Sequence, residues 1–264
     1  MDDGGQGDLF GGNAEAGGGK GPFSEADAIA LAGLYSDGGF DLSALPTEAR
    51  RLYELSINAF GAIIHARASE LPISGEIARF ERKVLAAADA AGMSANAAAA
   101  STGSRAEIAM RRAAEIAAED HGDRDAQAVR AAERKVRHEI HRLRGLLRFG
   151  PGADGVYVAL CSPDHFVLPA LGEHFRKRFG GAPWAIVDER RRLRLSHIPK
   201  APFEFSRANE IPGEPAAAKD GEWENLWRSY HKTIGNEDRR NPDLQRQFLP
   251  RRYWKHLTEM QGRP

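Results

Sequence analysis

The sequence predicts an α+β protein, mostly α, with an N-terminal helical bundle, one small β-sheet and C-terminal helices that pack back. Apolar residues keep helical spacing from residue 24 to residue 149, and short β-rich apolar runs follow between residues 155 and 197. Helical spacing returns after residue 222. The chain has 264 residues, 42% of them hydrophobic, which suffices for a sizeable core. We expect a single α+β domain over residues 24–264.

The first segment, residues 1–23, is rich in glycine and acidic residues. Its few apolar side chains cannot offset the conformational entropy that would be lost on ordering. We therefore predict that residues 1–23 form a disordered, Gly-rich acidic tail.

The helical part is predicted over residues 24–149 and should contain four or five packed helices. Hydroxyl side chains of the kind that cap helix N-termini recur along it. These candidate caps are Ser24, Thr47, Ser74 and Ser104, the last completed by Glu107 as a capping box.

The small sheet is predicted over residues 150–198, with a strand–helix–strand unit near residues 155–197. Its first strand is "VYVALC" (156–161), its helix is the amphipathic "LPALGEHFRKRFG" (168–180), and its second strand is "WAIVD" (184–188). The alternating run "RLRLSHI" (192–198) predicts a further antiparallel strand after a turn at residues 189–191.

Prolines at positions 199, 202, 212 and 215 predict an irregular Pro-rich connection over residues 199–221. C-terminal helices are then predicted over residues 222–260. Trp223, Trp227, Tyr230 and Ile234 share one helical face, which favours a core position. Asn241 resembles a helix cap, and Pro250 should open the last helix.

Charge is unevenly distributed along the chain. Lys plus Arg equals Asp plus Glu at 37 each, so the net charge indicates no class of partner. Residues 130–200, however, contain 15 basic and 7 acidic side chains. The middle of the chain is therefore electropositive, which favours an anionic partner.

The helix predicted over residues 130–149 has two stripes. Val136, Ile140, Leu143 and Leu147 recur with helical spacing and should face a core. A second stripe, at the same spacing, is cationic and consists of Arg130, Arg134, Arg137, His141, Arg144 and Arg148. A stripe of one sign indicates phosphate binding, although pairing with acids elsewhere in the fold would explain it equally well.

Metal, cofactor and membrane sites are not expected. His138 and His141 are three residues apart, whereas the zinc-protease helix places its two histidines four apart. The single cysteine, Cys161, cannot form an internal disulfide or hold an iron–sulfur cluster. No signal pattern or run of about 20 apolar residues is present, so we expect a soluble, cytoplasmic protein.

One constellation could support catalysis. The loop "CSPDHF" (161–166) follows a predicted strand, and Asp188 ends the next strand. His165, His174 and Asp188 could then converge as acid–base or metal-binding groups. The alternative is that His174 is a core histidine and Asp188 a turn acid.

Four stretches resemble a bacterial family of uncharacterised domains assigned to DNA metabolism or repair. They are "EIHRLRGLLRF", "VYVALCSPDHFVLPALGEHFRKRFG", "PWAIVDERR" and "LWRSYHKTIGNEDRRNPDLQRQFLPRRYWKHLTEM", and the resemblance covers about residues 50–260. The positions that match the family's recurrent motifs are His174, Arg178, Asp188, Trp227, Arg240, Asn241 and Pro250. Members occur alone, beside a radical-SAM DNA-modification or repair protein, or fused to a uracil-DNA glycosylase-like domain. The resemblance implies a role in DNA metabolism and no particular reaction.

The function we expect is that of a DNA-binding accessory protein of a bacterial DNA repair or modification system, acting with a radical-SAM iron–sulfur partner. The residues expected to contact nucleic acid are the six cations of the stripe together with Arg178, Arg191, Arg240 and Asn241. Two alternatives remain: a nucleic-acid-processing enzyme that uses His165, His174 and Asp188, and a protein–protein scaffold without DNA contact.

Overall fold

The computed structural model describes residues 23–37, 42–98, 103–152, 155–208, 222–234, 241, 243–244 and 248–260. Within it the chain divides into two compact units, residues 1–140 with 164–173, and residues 141–163 with 174–264. The prediction of one domain over residues 24–264 stays a prediction. The predicted tail lies outside the described residues except for Phe23, which is buried against Phe166 at a ring distance of 4.8 Å.

The first unit is helical. Its helices are α1 (Glu25–Gly33), α2 (Thr47–Leu55), α3 (Ile57–Ala68), α4 (Ser74–Ala98), α5 (Gly103–Ala118) and the greater part of α6 (Arg124–Leu146). These are six helices among the described residues, where four or five were predicted. The extra boundary lies at Ser56, whose extended backbone separates α2 from α3.

Local capping explains several helix starts. Ser24 forms a capping box with Asp27, and the Ser56 hydroxyl accepts the backbone N–H of Ala59 at 3.0 Å. The cap predicted at Thr47 was wrong by one residue, because Pro46 is the N-cap and Thr47 begins α2.

The predicted apolar stripe of α6 is confirmed, since Val136, Ile140, Leu143 and Leu147 are all buried.

The second unit contains a five-stranded sheet. Its strands are β1 (Phe149–Pro151), β2 (Tyr157–Cys161), β3 (Trp184–Asp188), β4 (Leu193–His197) and β5 (Glu204–Arg207), in the order β1-β2-β3-β4-β5. β2 and β3 are parallel, and the other neighbours are antiparallel. Helix α7 (Leu168–Phe179) lies between β2 and β3 in sequence, so the predicted strand–helix–strand unit is confirmed.

Two strands were not predicted. Residue 149 was assigned to the helical part, but Phe149 begins β1 and pairs with Ala159. Residues 204–207 fell within the predicted Pro-rich connection over 199–221, yet they pair with β4 as β5. Both strands are short and lie at the edges of the sheet, so pairing with a neighbouring strand rather than local periodicity determines them.

Among its described residues, the C-terminal segment includes helix α8 (Glu222–Ile234) and two 3-10 helices, Arg251–His256 and Thr258–Met260. Pro250 is the N-cap of the first 3-10 helix, and Asn241 Oδ1 accepts the backbone N–H of Leu244 at 2.9 Å, as predicted for a cap. The core position expected for the aromatic face of α8 was wrong for Trp227, Tyr230 and Ile234, which are exposed. The side chain of Trp223 lies outside the described residues. Among the described residues, no helix combines the length and the apolar character needed to cross a membrane.

Candidate nucleic-acid interface

The exposed side of α6 between residues 134 and 141 is uniformly basic. The side chains that reach solvent there are Arg134, Lys135, Arg137, His138 and His141, and we call them the basic face of α6. The intervening residues Val136, Glu139 and Ile140 are buried. Every exposed side chain in this stretch is therefore a cation or an imidazole.

The two acids nearest this face, Glu133 and Glu139, are buried. The Glu133 carboxylate accepts hydrogen bonds from Arg130 Nη1 at 3.0 Å and from Arg137 Nη1 at 3.3 Å. Glu139, only 2% exposed, accepts the backbone N–H groups of Asp164 and His165. Glu133 therefore offsets part of the Arg137 charge, and Glu139 binds the loop that precedes α7.

A second basic cluster surrounds His174 in the second unit, and we call it the His174 cluster. Burial lowers the pKa of His174, and the nearby charges of Arg144, Arg178 and Lys177 lower it further. Lys177 and Arg178 are exposed, and Arg144 is half-buried. His174 Nε2 is buried without a hydrogen-bond partner among the described residues. A neutral imidazole thus lies among three cations, and a bound anion would be favoured there.

Four further residues predicted to contact nucleic acid lie outside these two clusters. Arg148 forms an ion pair with Glu259, with 2.7 Å between Nη2 and Oε1, and Arg130 is half-buried against Glu133. Asn241 is exposed and caps the backbone at Leu244. Arg240 lies outside the described residues.

The Arg191 side chain is largely buried and is held by hydrogen bonds within the second unit. Its Nη1 donates to Asp188 Oδ2 at 2.7 Å and to the carbonyl oxygen of Pro163 at 3.1 Å, and its side chain is only 11% exposed. The Asp188 carboxylate also accepts the backbone N–H groups of Arg190 and Arg191. Burial raises the pKa of Asp188, and Arg191 offsets this only in part. The Asp188–Arg191 pair therefore stabilises the turn between β3 and β4.

The other two catalytic candidates, His165 and His174, belong to different units. His165 Nδ1 lies 2.8 Å from the carbonyl oxygen of Ser69, while the backbone N–H of His165 donates to Glu139. His165 belongs to the first unit, and His174 and Asp188 belong to the second. Within the described part of the chain, no three His, Cys, Asp or Glu side chains are arranged to hold a metal ion.

One polar cluster was missed by sequence reasoning. The Glu189 carboxylate accepts Ser162 Oγ at 3.0 Å and Lys255 Nζ at 2.7 Å, and His256 Nε2 lies 3.4 Å away. Burial opposes the Glu189 charge, but the hydrogen bonds from Lys255 and Ser162 prevail and lower its pKa. Ser162 and Glu189 follow two parallel strands, so their proximity was predictable. The contribution of the 3-10 helix at residues 251–256 was not.

Comparison with known proteins gives one match. A family model described as a domain of unknown function, DUF4130, matches residues 105–259. No match is found among curated proteins or among solved structures. The matched span includes α6, the whole sheet, α7 and α8.

Proposed function

The chain belongs to the DUF4130 family of domains of unknown function, and we propose that it is a DNA-binding accessory protein of a bacterial DNA repair or modification system. The observation that supports DNA binding is the composition of the basic face of α6. Its exposed side chains are all basic or imidazole, while the nearby Glu139 carboxylate is buried. The His174 cluster adds further exposed cations in the second unit.

The side chains of the basic face are close enough along α6 for their positive charges to repel one another. Like charges at positions i and i+4 of a helix repel each other, and a solvated helix face ordinarily mixes signs. Arg134 and His138 follow this spacing, as do Arg137 and His141, and no exposed acid lies between the members of either pair. DNA phosphates relieve the repulsion, and each neutralised phosphate releases condensed counterions. The contacts position the protein on the duplex without reading bases, so we expect little sequence preference.

The salt dependence of DNA binding tests the proposal. If about four cations engage phosphates of duplex DNA, the plot of log affinity against log salt should have a slope of roughly −3 to −4. The Arg134→Gln/Arg137→Gln double variant should make this slope shallower by nearly two. A matched control is Arg82→Gln/Arg112→Gln, which removes two exposed arginines of α4 and α5 and should leave the slope unchanged.

Two outcomes would overturn the proposal. One is a parent protein that shows no retention on duplex DNA at low salt. The other is an equal loss of slope in the α6 variant and in the control, because binding would then follow total charge rather than this face. Circular dichroism and thermal unfolding of both variants should match the parent, since the exchanged side chains are exposed.

The accessory role rests on the resemblance of the sequence to a family whose members occur beside a radical-SAM protein. We propose such an iron–sulfur protein as the partner. Co-expression followed by affinity purification from nuclease-treated lysate should retain the partner on the tagged chain. Retention that disappears after nuclease treatment would show that DNA alone bridges the two proteins, and this would refute a direct partnership.

A further inference from the structure

Helix α8 exposes an unusual set of side chains. Leu226, Trp227, Tyr230 and Ile234 are all exposed, and Tyr230 reaches 55%. With 3.6 residues per turn, these positions fall on one side of the helix. Contiguous exposed apolar surface of this kind marks a binding site more often than it marks ordinary surface.

The two aromatic rings of this surface are already arranged as a stack. The Trp227 and Tyr230 rings lie 5.7 Å apart between centroids with an interplanar angle of 28°. The Arg148 guanidinium carbon lies 5.1 Å from the centroid of the Trp227 ring. We call Arg148, Trp227 and Tyr230 the stacking platform.

The carboxylate of Glu259 holds the platform in place. It accepts Trp227 Nε1 at 2.9 Å and Arg148 Nη2 at 2.7 Å, so one acid fixes both the indole and the guanidinium. Fixed side chains lose less conformational entropy when a ligand binds. The platform is therefore preorganised, and the Tyr230 ring remains largely open to solvent.

We propose that the stacking platform binds an unpaired nucleobase of single-stranded DNA, an inference that rests on the DNA-binding function proposed above. Proteins bind single strands by combining cationic grooves with aromatic rings on which bases stack. The platform offers such rings together with a guanidinium, since Arg148 lies over the Trp227 ring and follows the basic stretch of α6 along the chain. An aliphatic protein-docking surface would need neither stacked rings nor a guanidinium over one of them.

The experiment compares two oligonucleotides with the same number of phosphates. One is a thymidine oligomer of about 12 nucleotides, and the other is its abasic analogue with a tetrahydrofuran at each position. Binding of both to the full-length protein is measured by fluorescence anisotropy at low salt. Stacking contributes about 1–3 kcal/mol per base, so the thymidine oligomer should bind at least about fivefold more tightly.

Variants of α8 test whether the Tyr230 ring causes this difference in affinity between the two oligomers. Tyr230→Leu keeps an apolar side chain but removes the ring, and it should lower affinity for the thymidine oligomer at least about fivefold without changing affinity for the abasic oligomer. Tyr230→Phe keeps the ring and should bind like the parent. Ile234→Ser, on the same helical surface without an aromatic ring, is the matched control and should also bind like the parent.

The possible failures are distinguishable. Equal, salt-sensitive binding of both oligomers, together with a neutral Tyr230→Leu change, would overturn the stacking inference and leave the proposed function intact. No binding of any DNA would overturn both. If sedimentation showed a dimer that is lost in both Tyr230→Leu and Ile234→Ser while oligomer binding stayed unchanged, the surface would be an interface between copies of this chain, and the inference would fail.

Discussion

Glu139 Oε2 accepts the backbone N–H of His165 at 2.8 Å. The other carboxylate oxygen accepts the backbone N–H of Asp164 at 3.0 Å, so both oxygens are bound to the loop that precedes α7. This acid is turned inward and adds no exposed negative charge to the basic face of α6. One buried carboxylate thus fixes a loop and leaves the basic face uniformly basic.

Removing that carboxylate should destabilise the protein. Glu139→Ala leaves two backbone N–H groups without their acceptor, and we expect a loss of about 2–3 kcal/mol in the free energy of unfolding. Urea denaturation measures this loss, and amide hydrogen exchange should accelerate at residues 164 and 165. Glu119→Ala, which removes an exposed acid at the end of α5, should change stability by less than about 0.5 kcal/mol. Equal stability of parent and Glu139→Ala would mean that the loop is held by other contacts.

The Glu259 carboxylate should make stability depend on acid pH. Burial opposes its charge, but the hydrogen bonds from Arg148 and Trp227 prevail and lower its pKa. An acid whose folded-state pKa is lowered adds stability above its ordinary value of 4.5 and loses it as pH falls through the folded-state value. We expect the free energy of unfolding of the parent at pH 7 to exceed that of Glu259→Gln by about 1.5 kcal/mol.

This difference in the free energy of unfolding between the parent and Glu259→Gln should shrink as the pH falls below 4.5 and through the lowered pKa, because a protonated Glu259 no longer carries the charge that pairs with Arg148. Chemical denaturation of both proteins across the pH range measures it. A difference that stays constant with pH would assign the stabilisation to packing rather than to charge.

The Asp188–Arg191 pair should behave as a structural pair. Arg191→Ala leaves a fully buried carboxylate without its countercharge, which should cost about 3 kcal/mol at pH 7. The deficit should become smaller at acid pH, since burial already raises the pKa of Asp188 and a protonated carboxyl needs no cation. Arg190→Ala, at the exposed neighbouring position, should cost less than about 0.5 kcal/mol. A stable Arg191→Ala protein would reopen a catalytic role for Asp188.

The His174 cluster should respond to DNA through the pKa of its imidazole. Burial and the charges of Arg144, Arg178 and Lys177 lower that pKa in the free protein. Phosphates bound at these cations would offset their charge and raise the pKa of His174, which an NMR titration of the ring can follow. Arg178→Gln should raise this pKa in the free protein, whereas Arg82→Gln should leave it unchanged. If DNA binds and the His174 pKa stays constant, the phosphates lie elsewhere.

Local patterns in the sequence determined most of the secondary structure. The stripe Val136, Ile140, Leu143 and Leu147 has one helical period, and burial of these residues follows directly from it. β3 was predicted at its exact bounds because four apolar residues in a row, Trp184 to Val187, fit a strand buried on both faces and Asp188 marks its end. Side-chain and backbone chemistry over a few residues was sufficient for these elements.

Only the tertiary structure decided which charges remain exposed and which ring faces are open. Arg134 and Arg148 both belong to the predicted cationic stripe. Arg134 is exposed, whereas Arg148 pairs with Glu259, 111 residues away in sequence. Trp227 and Tyr230 keep core-like spacing, yet they lie at the surface. A helical period shows which side chains share a face, but not whether another element covers that face, because the covering depends on contacts between residues distant in sequence.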